Sequence, residues 1–376
     1  MYGFEMIKYN RLVMIHYKHS EFQRFSEAGG DSNSLTIKDK GSIILLQSYC
    51  SPSPMSNDFG VYQELQKAFD VNVVYKKATT VCPIYIKDIW LYALKANLTA
   101  KKGETIFSWG GPLGAWAWLF GKMLGLKRKY FSQNLIFREK NTGRKYRIMR
   151  WLYGKALRSD NFIATVNAPG LVDYYAKQFN CPKSHFAVIY DSMYLKPAEE
   201  KMVAEKKDGN YVFFGGSAAR DVPTFLKLVE EMPNVRFMAV ITRQMVTPEM
   251  SKYKNLEVLC DIPEEEFYSR LCNATVCCIP LDSKAPCGLY TMQKAIMLHT
   301  PIVSTDTYSM RTIVPDDTCG YLLPMDDAEG LKSKVVALLT DEKLRKQVAD
   351  AALANFEKFT PESVGRRIVE VICSLS

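Results

Sequence analysis

The chain has 376 residues, of which 47% are hydrophobic and 24% charged, and its formal net charge is +9. This composition is ordinary for a globular protein and the length is enough for two domains. No run reaches the roughly 18 apolar residues that a bilayer-spanning helix needs, which excludes such a helix.

The first forty residues predict no stable element. The apolar run at 12–15 is too short for the core of a signal peptide, and the polar stretch at 19–40 is typical of a mobile segment. We therefore expect residues 1–40 to form a partly disordered leader of a cytoplasmic protein. The ten cysteines agree with that location, because they are scattered without a CxxC pair or a Cys/His cluster and so predict reduced thiols.

From Gly41 onward, apolar strands alternate with amphipathic helices, which predicts an α/β chain of doubly wound domains. The strand-like runs of the first half are 42–47, 71–75, 105–108, 130–132, 162–166 and 187–190. The helix-like runs between them are 60–69, 86–98, 113–124, 145–157 and 170–179. We predict a first domain over residues 41–197 that the last helix, within 361–376, joins. A charged linker then leads to a second domain over residues 210–360.

Positive charge is concentrated in the first half of the chain. Residues 1–200 carry 28 Lys and Arg against 16 Asp and Glu, and most of the excess lies at residues 127–158, among Trp and Tyr side chains. Such a stretch suits an anionic membrane surface or a lipid diphosphate. It also suits RNA, or only the solvated face of a core helix, and the sequence leaves these interpretations open.

Two glycine turns in the second half each join an apolar strand to a helix. Gly215 and Gly216 follow the strand at 211–214, and Gly288 opens a helix that ends near His299. Glycine lets the backbone approach a ligand, and a helix N-terminus favours an anion, so the two turns predict a phosphate site at the carboxyl ends of the strands. Arg220 would supply a forked cation for a diphosphate.

Taken singly, each feature has a simpler explanation. A glycine before a helix is often only a cap, and Arg220 could lie on the surface and pair with Glu230 or Glu231. The two turns together favour the phosphate site.

The two segments resemble the second half of GT-B glycosyltransferases, in particular the retaining, nucleotide-sugar-dependent family 4, also known as glycosyl transferases group 1. One branch of that family has a G-G-x-x-x-R-D turn and a later motif G-x-x-T-x-x-(E or Q)-A-M-A-x-G-x-P. The matching residues are Gly215, Gly216, Arg220 and Asp221 in the turn and Gly288, Thr291, Ala295 and Pro301 in the later motif. The resemblance covers about residues 200–360, and the first half only in its pattern of elements.

This chain departs from the family pattern at two positions. Lys294 stands where the family has Glu or Gln bonded to the ribose hydroxyls, and a cation cannot accept such a bond. His299 stands where the family has the next Gly. We expect Lys294 to contact the diphosphate or a donor carboxylate instead, unless the site has lost its usual donor.

The resemblance implies a GT-B architecture, with two Rossmann-like domains facing a cleft, and an enzyme that transfers a sugar from a nucleotide-diphosphate sugar to a glycan or lipid-linked acceptor in surface polysaccharide biosynthesis. It implies a retaining reaction without a metal or other cofactor, in which Arg220 and Lys294 stabilise the leaving diphosphate as catalytic cations. The donor-binding residues would be Gly215, Gly216, Ser217, Arg243, Asp261, Cys287, Gly288, Leu289, Tyr290 and Thr291. The acceptor-side residues would be Trp109, Gly110, Gly111, Asn134 and Arg138, with Asp58, Glu139 and Asp191 as further candidates.

Three other functions stay open. The departures at Lys294 and His299 permit a catalytically silent sugar-nucleotide or glycan-binding subunit of another transferase. A nucleotide-sugar 2-epimerase has a similar fold, but it relies on acidic and His groups that this cleft does not obviously supply. Nucleic-acid binding through residues 127–158 is less favoured than peripheral docking of the same stretch on the inner face of a membrane.

Overall fold

The computed structural model describes residues 41–47, 59–74, 89–109, 112–137 and 142–374, so the predicted leader at 1–40 lies outside the described residues. The strands are β1 (Gly41–Gln47), β2 (Phe69–Val74), β3 (Thr105–Trp109), β4 (Tyr130–Gln133), β5 (Phe162–Val166), β6 (Phe186–Val188), β7 (Val212–Gly216), β8 (Phe237–Ile241), β9 (Leu256–Cys260), β10 (Val276–Ile279), β11 (Ile302–Thr305) and β12 (Tyr321–Leu323). The helices are α1 (Phe59–Ala68), α2 (Ile89–Thr99), α3 (Leu113–Met123), α4 (Arg144–Ala156), α5 (Pro169–Phe179), α6 (Pro197–Ala204), α7 (Val222–Glu231), α8 (Glu264–Cys272), α9 (Leu289–Met297), α10 (Met310–Ile313), α11 (Ala328–Thr340), α12 (Glu342–Ala354) and α13 (Pro361–Ser374).

The strands form two parallel six-stranded sheets. Their orders are β2-β1-β3-β4-β5-β6 and β12-β11-β10-β7-β8-β9. The strand order reverses between β1 and β3 in the first sheet and between β10 and β7 in the second. In doubly wound domains, ligands bind outside the carboxyl ends of the strands at such reversals, which places the two candidate glycine turns on either side of one of them.

Burial explains why these segments are strands. Every residue of β5, β8 and β10 is buried, as expected for parallel strands covered by helices on both faces. Successive side chains of β3 point to opposite faces of the sheet. Ile106 packs in the core formed with α2–α5, and Phe107 packs on the other face. The edge strand β9 is only half-buried throughout.

The last helix returns to the first sheet. α13 packs against α1, and Val364 and Ile368 share a buried core with Val61 and Leu65. A methyl group on Gly365 would lie 2.5 Å from Glu64 Cβ, so the helices approach more closely than a larger residue would allow. The chain thus crosses between the sheets twice within the described residues, through α6 and before α13.

The predicted elements occur, with differences at their ends. In the second half, helix α12 ends at Ala354, and a separate short 3-10 turn follows at Glu357–Phe359 before α13 begins. The predicted linker begins as helix α6, because Pro197 fits a first helical position and the Glu199 carboxylate accepts from Lys196 N at 2.8 Å. None of the helices among the described residues is long and apolar enough to cross a membrane.

Candidate active site

The first glycine turn follows β7 and is shaped around Arg220. Gly216 has φ 119°, and a methyl group on it would lie 1.9 Å from Arg220 Nη2, so only glycine fits. Ala219 has φ 54°, a conformation that costs a residue with a Cβ about 1 kcal/mol. Backbone hydrogen bonds tie the turn to the segment after β10, from Asp221 N to Pro280 O at 3.0 Å and from Asp282 N to Ala219 O at 3.2 Å.

The Arg220 guanidinium joins the two glycine turns. Its Nε donates to Gly215 O at 2.6 Å and its Nη1 donates to Ala218 O at 2.8 Å. Its Nη2 donates to Thr291 Oγ1 at 3.3 Å, in the first turn of α9. Arg220 is 7% exposed, so the alternative explanation, a surface position with a pairing to Glu230 or Glu231, is wrong. A guanidinium held in this way is oriented before any anion arrives.

The second glycine turn opens α9. Gly288 is the N-cap with φ 74°, and Arg220 Nη1 would lie 3.4 Å from a methyl group placed there. The helical ladder starts with Met292 N donating to Gly288 O at 3.1 Å. The backbone N–H groups of residues 289–291 precede that bond, so the helix offers them no carbonyl oxygen to donate to. They lie at the positive end of the helix dipole.

Asp221, which completes the turn motif, acts as a helix cap. Its Oδ1 accepts from Thr224 N at 3.0 Å, and the residue is buried. Ser217, between the glycines and Arg220, is exposed, whereas Cys287 is buried with its thiol directed to Ser283 O at 3.7 Å.

Lys294 differs from its prediction. It is 0% exposed, and its Nζ donates to Glu199 Oε2 at 2.5 Å and to Tyr194 O at 2.8 Å, over the ring of Tyr268. Burial lowers the pKa of Lys294, and the carboxylate of Glu199 opposes that shift. This placement contradicts the prediction that Lys294 contacts the diphosphate, because its ammonium is already bound by Glu199 and Tyr194 O and covered by the ring of Tyr268.

His299 is explained by the end of α9. It has φ 55°, the left-handed conformation in which glycine is usual after a helix. Lys206 Nζ donates to the oxygens of Leu298 and His299, at 3.1 and 2.7 Å, and so caps the carboxyl end. The departure from the family glycine therefore affects the helix terminus rather than a ligand contact.

Arg243 and Asp261 follow the neighbouring strands β8 and β9. Arg243 Nε lies 3.6 Å from Asp261 Oδ2, and the Arg243 side chain is 83% exposed. Asp261 has φ 54°, a second non-glycine residue in the left-handed region at this edge of the sheet. The pair lies at the same edge as the glycine turns, and its contact with a nucleotide base stays a prediction.

On the acceptor side, the structure describes part of the predicted set. Trp109 ends β3 and its side chain is half-buried. Gly110, Gly111, Arg138, Glu139 and Asp58 lie outside the described residues.

Asn134 belongs to a polar network that sequence reasoning found only in part. Asn134 Nδ2 donates to Asp191 Oδ1 at 2.8 Å, and Asn167 Nδ2 donates to Asp191 Oδ2 at 2.7 Å. Two residues of the second domain complete the network: Ser309 Oγ donates to Asn167 Oδ1 at 2.9 Å and Gln293 Nε2 donates to Asp191 O at 2.9 Å. The position of Asn167 just after β5 was the sequence feature that could have indicated its role in the network. No sequence feature indicated Gln293.

The basic stretch has both structural and exposed members. Arg128 is structural, because it donates to Ala100 O at 2.6 Å and so caps the end of α2. Trp118, which precedes this stretch on α3, is also structural, since it is buried and its Nε1 donates to Asn161 Oδ1 at 3.3 Å. On α4, by contrast, Ile148 and Trp151 are 52% and 54% exposed. The exposed basic residues of that helix are Arg144, Lys145, Arg147, Arg150 and Lys155.

A groove of about 840 Å³ lies elsewhere, between α6, α8 and the amino ends of β7 and β8. Its charged lining includes Arg236, which pairs with Glu257 at 2.8 Å, and Arg270, which pairs with Glu266 at 3.1 Å. It lies at the end of the sheet opposite to the glycine turns, so it is not the predicted donor site. Among the described residues, no group of three or more metal-ligating side chains comes together.

Comparison with known proteins shows a family resemblance over part of the second domain and a shared fold over most of the chain. Residues 249–354 match the family model of glycosyl transferases group 1. A phosphatidyl-myo-inositol mannosyltransferase of Mycolicibacterium smegmatis is 25% identical over 122 residues, which are 32% of this chain and 31% of that protein. The match therefore spans about a third of the relative's length.

Two solved structures share the architecture at low identity. Sucrose-phosphate synthase from Thermosynechococcus elongatus is 13% identical with a TM-score of 0.67, covering 89% of this chain and 99% of that one. Anabaena HepE in complex with UDP is 13% identical with a TM-score of 0.60, covering 89% of this chain and 100% of that one. The predicted fold class is thus confirmed: the chain has the GT-B fold and resembles glycosyl transferases group 1 over residues 249–354.

Proposed function

We propose that this protein is a glycosyltransferase that moves a sugar from a nucleotide-diphosphate sugar to a glycan or lipid-linked acceptor. One observation carries the proposal: the Arg220 guanidinium, within hydrogen-bond distance of Gly215 O and Thr291 Oγ1, joins two glycine turns at the reversal between β7 and β10. The group 1 match over residues 249–354 and the HepE structure with UDP support the choice of donor.

The chemistry follows from the charge that develops when the sugar bond breaks. The diphosphate leaves with both bonding electrons, and a fixed cation stabilises it without reorganising. Arg220 would be that cation, and the amides at 289–291, at the positive end of α9, would add donors. Retention of configuration, independence of a metal, a role in surface polysaccharide assembly and a cytoplasmic location are further parts of the proposal that rest on the resemblance.

The test is a transfer assay with a panel of nucleotide sugars and glycan acceptors, followed by mass spectrometry of the products. Arg220→Ala should lower kcat by about 10²–10³-fold, the usual effect of removing a donor that stabilises developing charge. Arg270→Ala, which removes a guanidinium from α8, is the matched control and should keep its rate. Nucleotide binding without turnover in the wild type would favour the silent subunit instead.

We also propose that α4 docks on an anionic membrane surface. Arg144, Lys145 and Arg147 lie at the amino end of this helix, where the helix dipole disfavours cations. An anionic surface against the helix would offset this unfavourable interaction of the cations with the helix dipole. The exposed Ile148 and Trp151 are suited to the lipid headgroup region.

Vesicle flotation separates this partner from RNA. Arg147→Glu with Arg150→Glu should weaken binding to phosphatidylglycerol vesicles by about thirtyfold or more, since each of the two basic residues near such a surface contributes about 1 kcal/mol and about 1.4 kcal/mol is tenfold. Lys343→Glu with Lys346→Glu on α12 makes the same charge change and should have no effect. Binding to RNA but not to vesicles would contradict the proposal.

A further inference from the structure

Two amide side chains meet at Asp191, one from each domain, and Gln293 is buried whereas Asn134 is half-buried. Asn134 donates to the carboxylate of Asp191, and Gln293 donates to its main-chain oxygen. The other end of each amide is different: Gln293 Oε1 and Asn134 Oδ1 are buried and have no hydrogen-bond partner in the part of the chain that the structure describes. Gln293 is 1% exposed.

The orientation of both amides is fixed by chemistry. The NH₂ group of Asn134 faces the Asp191 carboxylate, which when ionised only accepts, and that of Gln293 faces the Asp191 main-chain oxygen, so rotating either amide by 180° would bring two acceptors together. The two carbonyl oxygens therefore point away from Asp191. Buried acceptors without partners destabilise a fold, and their persistence needs an explanation.

The position of Asn134 in the fold is a second observation. This residue has φ 59°, a conformation that asparagine adopts readily, and its N–H donates to Thr165 Oγ1 at 2.7 Å, which holds it there. It comes directly after β4, at the edge of the sheet where ligands of doubly wound domains bind.

The position links this pair to the candidate donor site. Gln293 lies on α9, the helix that Gly288 opens and whose first turn contacts Arg220 through Thr291. Asn134 and Asp191 follow β4 and β6 of the other sheet. A group beside both amides would therefore sit between the domains, next to the proposed diphosphate.

We propose that Asn134 and Gln293 form a subsite for sugar hydroxyl groups, with Asp191 as the residue that positions both. The two oxygens are neutral acceptors, and a sugar ring presents several neutral O–H donors at once. The inference rests on the proposed function, which supplies two sources of such hydroxyls, the donor sugar and the acceptor glycan.

Binding measurements on variants test the subsite and separate its two sources. Gln293→Met replaces the amide by an apolar chain of similar length, and Asn134→Gly removes the side chain while suiting the backbone. Gln178→Met is the matched control, because Gln178 on α5 also has buried amide atoms without a partner among the described residues but is not part of this network. The probes are UDP, GDP and ADP and their hexose derivatives, by calorimetry, with kinetics on any acceptor that is turned over.

If the hydroxyls belong to the donor sugar, both variants should lose about tenfold of affinity for the nucleotide sugar and keep their affinity for the free nucleoside diphosphate. If they belong to the acceptor, its KM should rise by about tenfold with donor affinity unchanged. Wild-type behaviour of both variants, equal to that of Gln178→Met, would overturn the subsite and leave the two oxygens bound to ordered water only.

A second measurement does not depend on the proposed donor. Side-chain amide signals of Asn134 and Gln293, assigned from the two variants, are followed by NMR while neutral hexoses are added to the wild-type protein. Shifts at these signals and not at Gln178 support the subsite. Such shifts without any nucleotide binding would remove the proposed function and retain the subsite, whereas no shift with hexoses or nucleotide sugars would overturn it.

Discussion

The carboxyl edges of the two sheets are organised in different ways. In the second domain, the edge is held together within the domain, by the hydrogen bonds of Arg220 to Gly215, Ala218 and Thr291. In the first domain, the edge is held by the carboxylate of Asp191 and is completed from the other domain, by Gln293 and Ser309. The carboxyl edge of the first sheet therefore depends on how the two domains meet, whereas the carboxyl edge of the second sheet does not.

A similar contrast exists between two buried cations of the second domain. Arg220 is held by main-chain carbonyl oxygens and a hydroxyl at the glycine turns, whereas Lys294 is held by the carboxylate of Glu199 on α6. Lys196, just before α6, pairs with Glu264 on α8 at 2.8 Å. We infer that Arg220 serves the ligand site and that Lys294 fastens the linker helix to the second domain.

The largest expected effect on stability tests that contrast. Lys294→Met should lower the free energy of unfolding by about 3–5 kcal/mol, because it leaves Glu199 buried without its partner. The double variant Lys294→Met with Glu199→Gln should recover much of that loss, since no buried charge remains and glutamine can still cap α6. Urea unfolding measures both. A small loss of stability together with loss of nucleotide binding would instead return Lys294 to the ligand site.

The next effect concerns the edge of the first domain. Burial raises the pKa of Asp191 above its ordinary 3.8, and the hydrogen bond from Asn167 offsets only part of that shift. The folded protein therefore holds this proton more tightly than the unfolded chain. The resulting stabilisation is present below the ordinary pKa and is lost as the pH rises through the folded-state pKa.

The wild type should thus lose unfolding free energy relative to Asp191→Asn as the pH rises from about 4 to about 7. Urea unfolding of both proteins across that range measures it. A difference that does not vary with pH would show that Asp191 titrates as it does in water.

Sequence reasoning found the second edge because its determinants are local. Gly216, Arg220 and Gly288 lie in short strand-to-helix turns, where the backbone requires glycine and where a motif can be recognised. It misplaced Lys294 because the partner of that residue, Glu199, is 95 positions away in a segment predicted only as a charged linker. The partners of Asn134, Thr165 and Asp191, are also distant in sequence, at 31 and 57 positions, so no spacing could indicate them.

The smallest effect concerns His299 at the end of α9. His299→Gly should stabilise the protein by about 1 kcal/mol, because glycine adopts the left-handed conformation without a Cβ clash. Burial also lowers the pKa of His299 below its ordinary 6.5, so the unfolded chain binds this proton more tightly and wild-type stability is lost as the pH falls below that value. The gain should therefore be larger at about pH 5.5 than at about pH 8.

Thermal unfolding at the two pH values measures the gain. Asn180→Gly is the matched control, because Asn180 also ends a helix, at φ 48°, but asparagine tolerates that conformation. It should stabilise less and without the pH dependence. Equal gains from the two variants would contradict the account of His299.

The most direct test of the central claim, that Arg220 and the two glycine turns hold a nucleoside diphosphate, is a thermal-shift panel of UDP, GDP and ADP and their sugars. A ligand that binds only the folded protein raises its melting temperature. We predict a rise with one nucleotide class in the wild type and in Arg270→Ala, and its loss in Arg220→Ala. No rise with any nucleotide, or a rise that survives in Arg220→Ala, would contradict the claim.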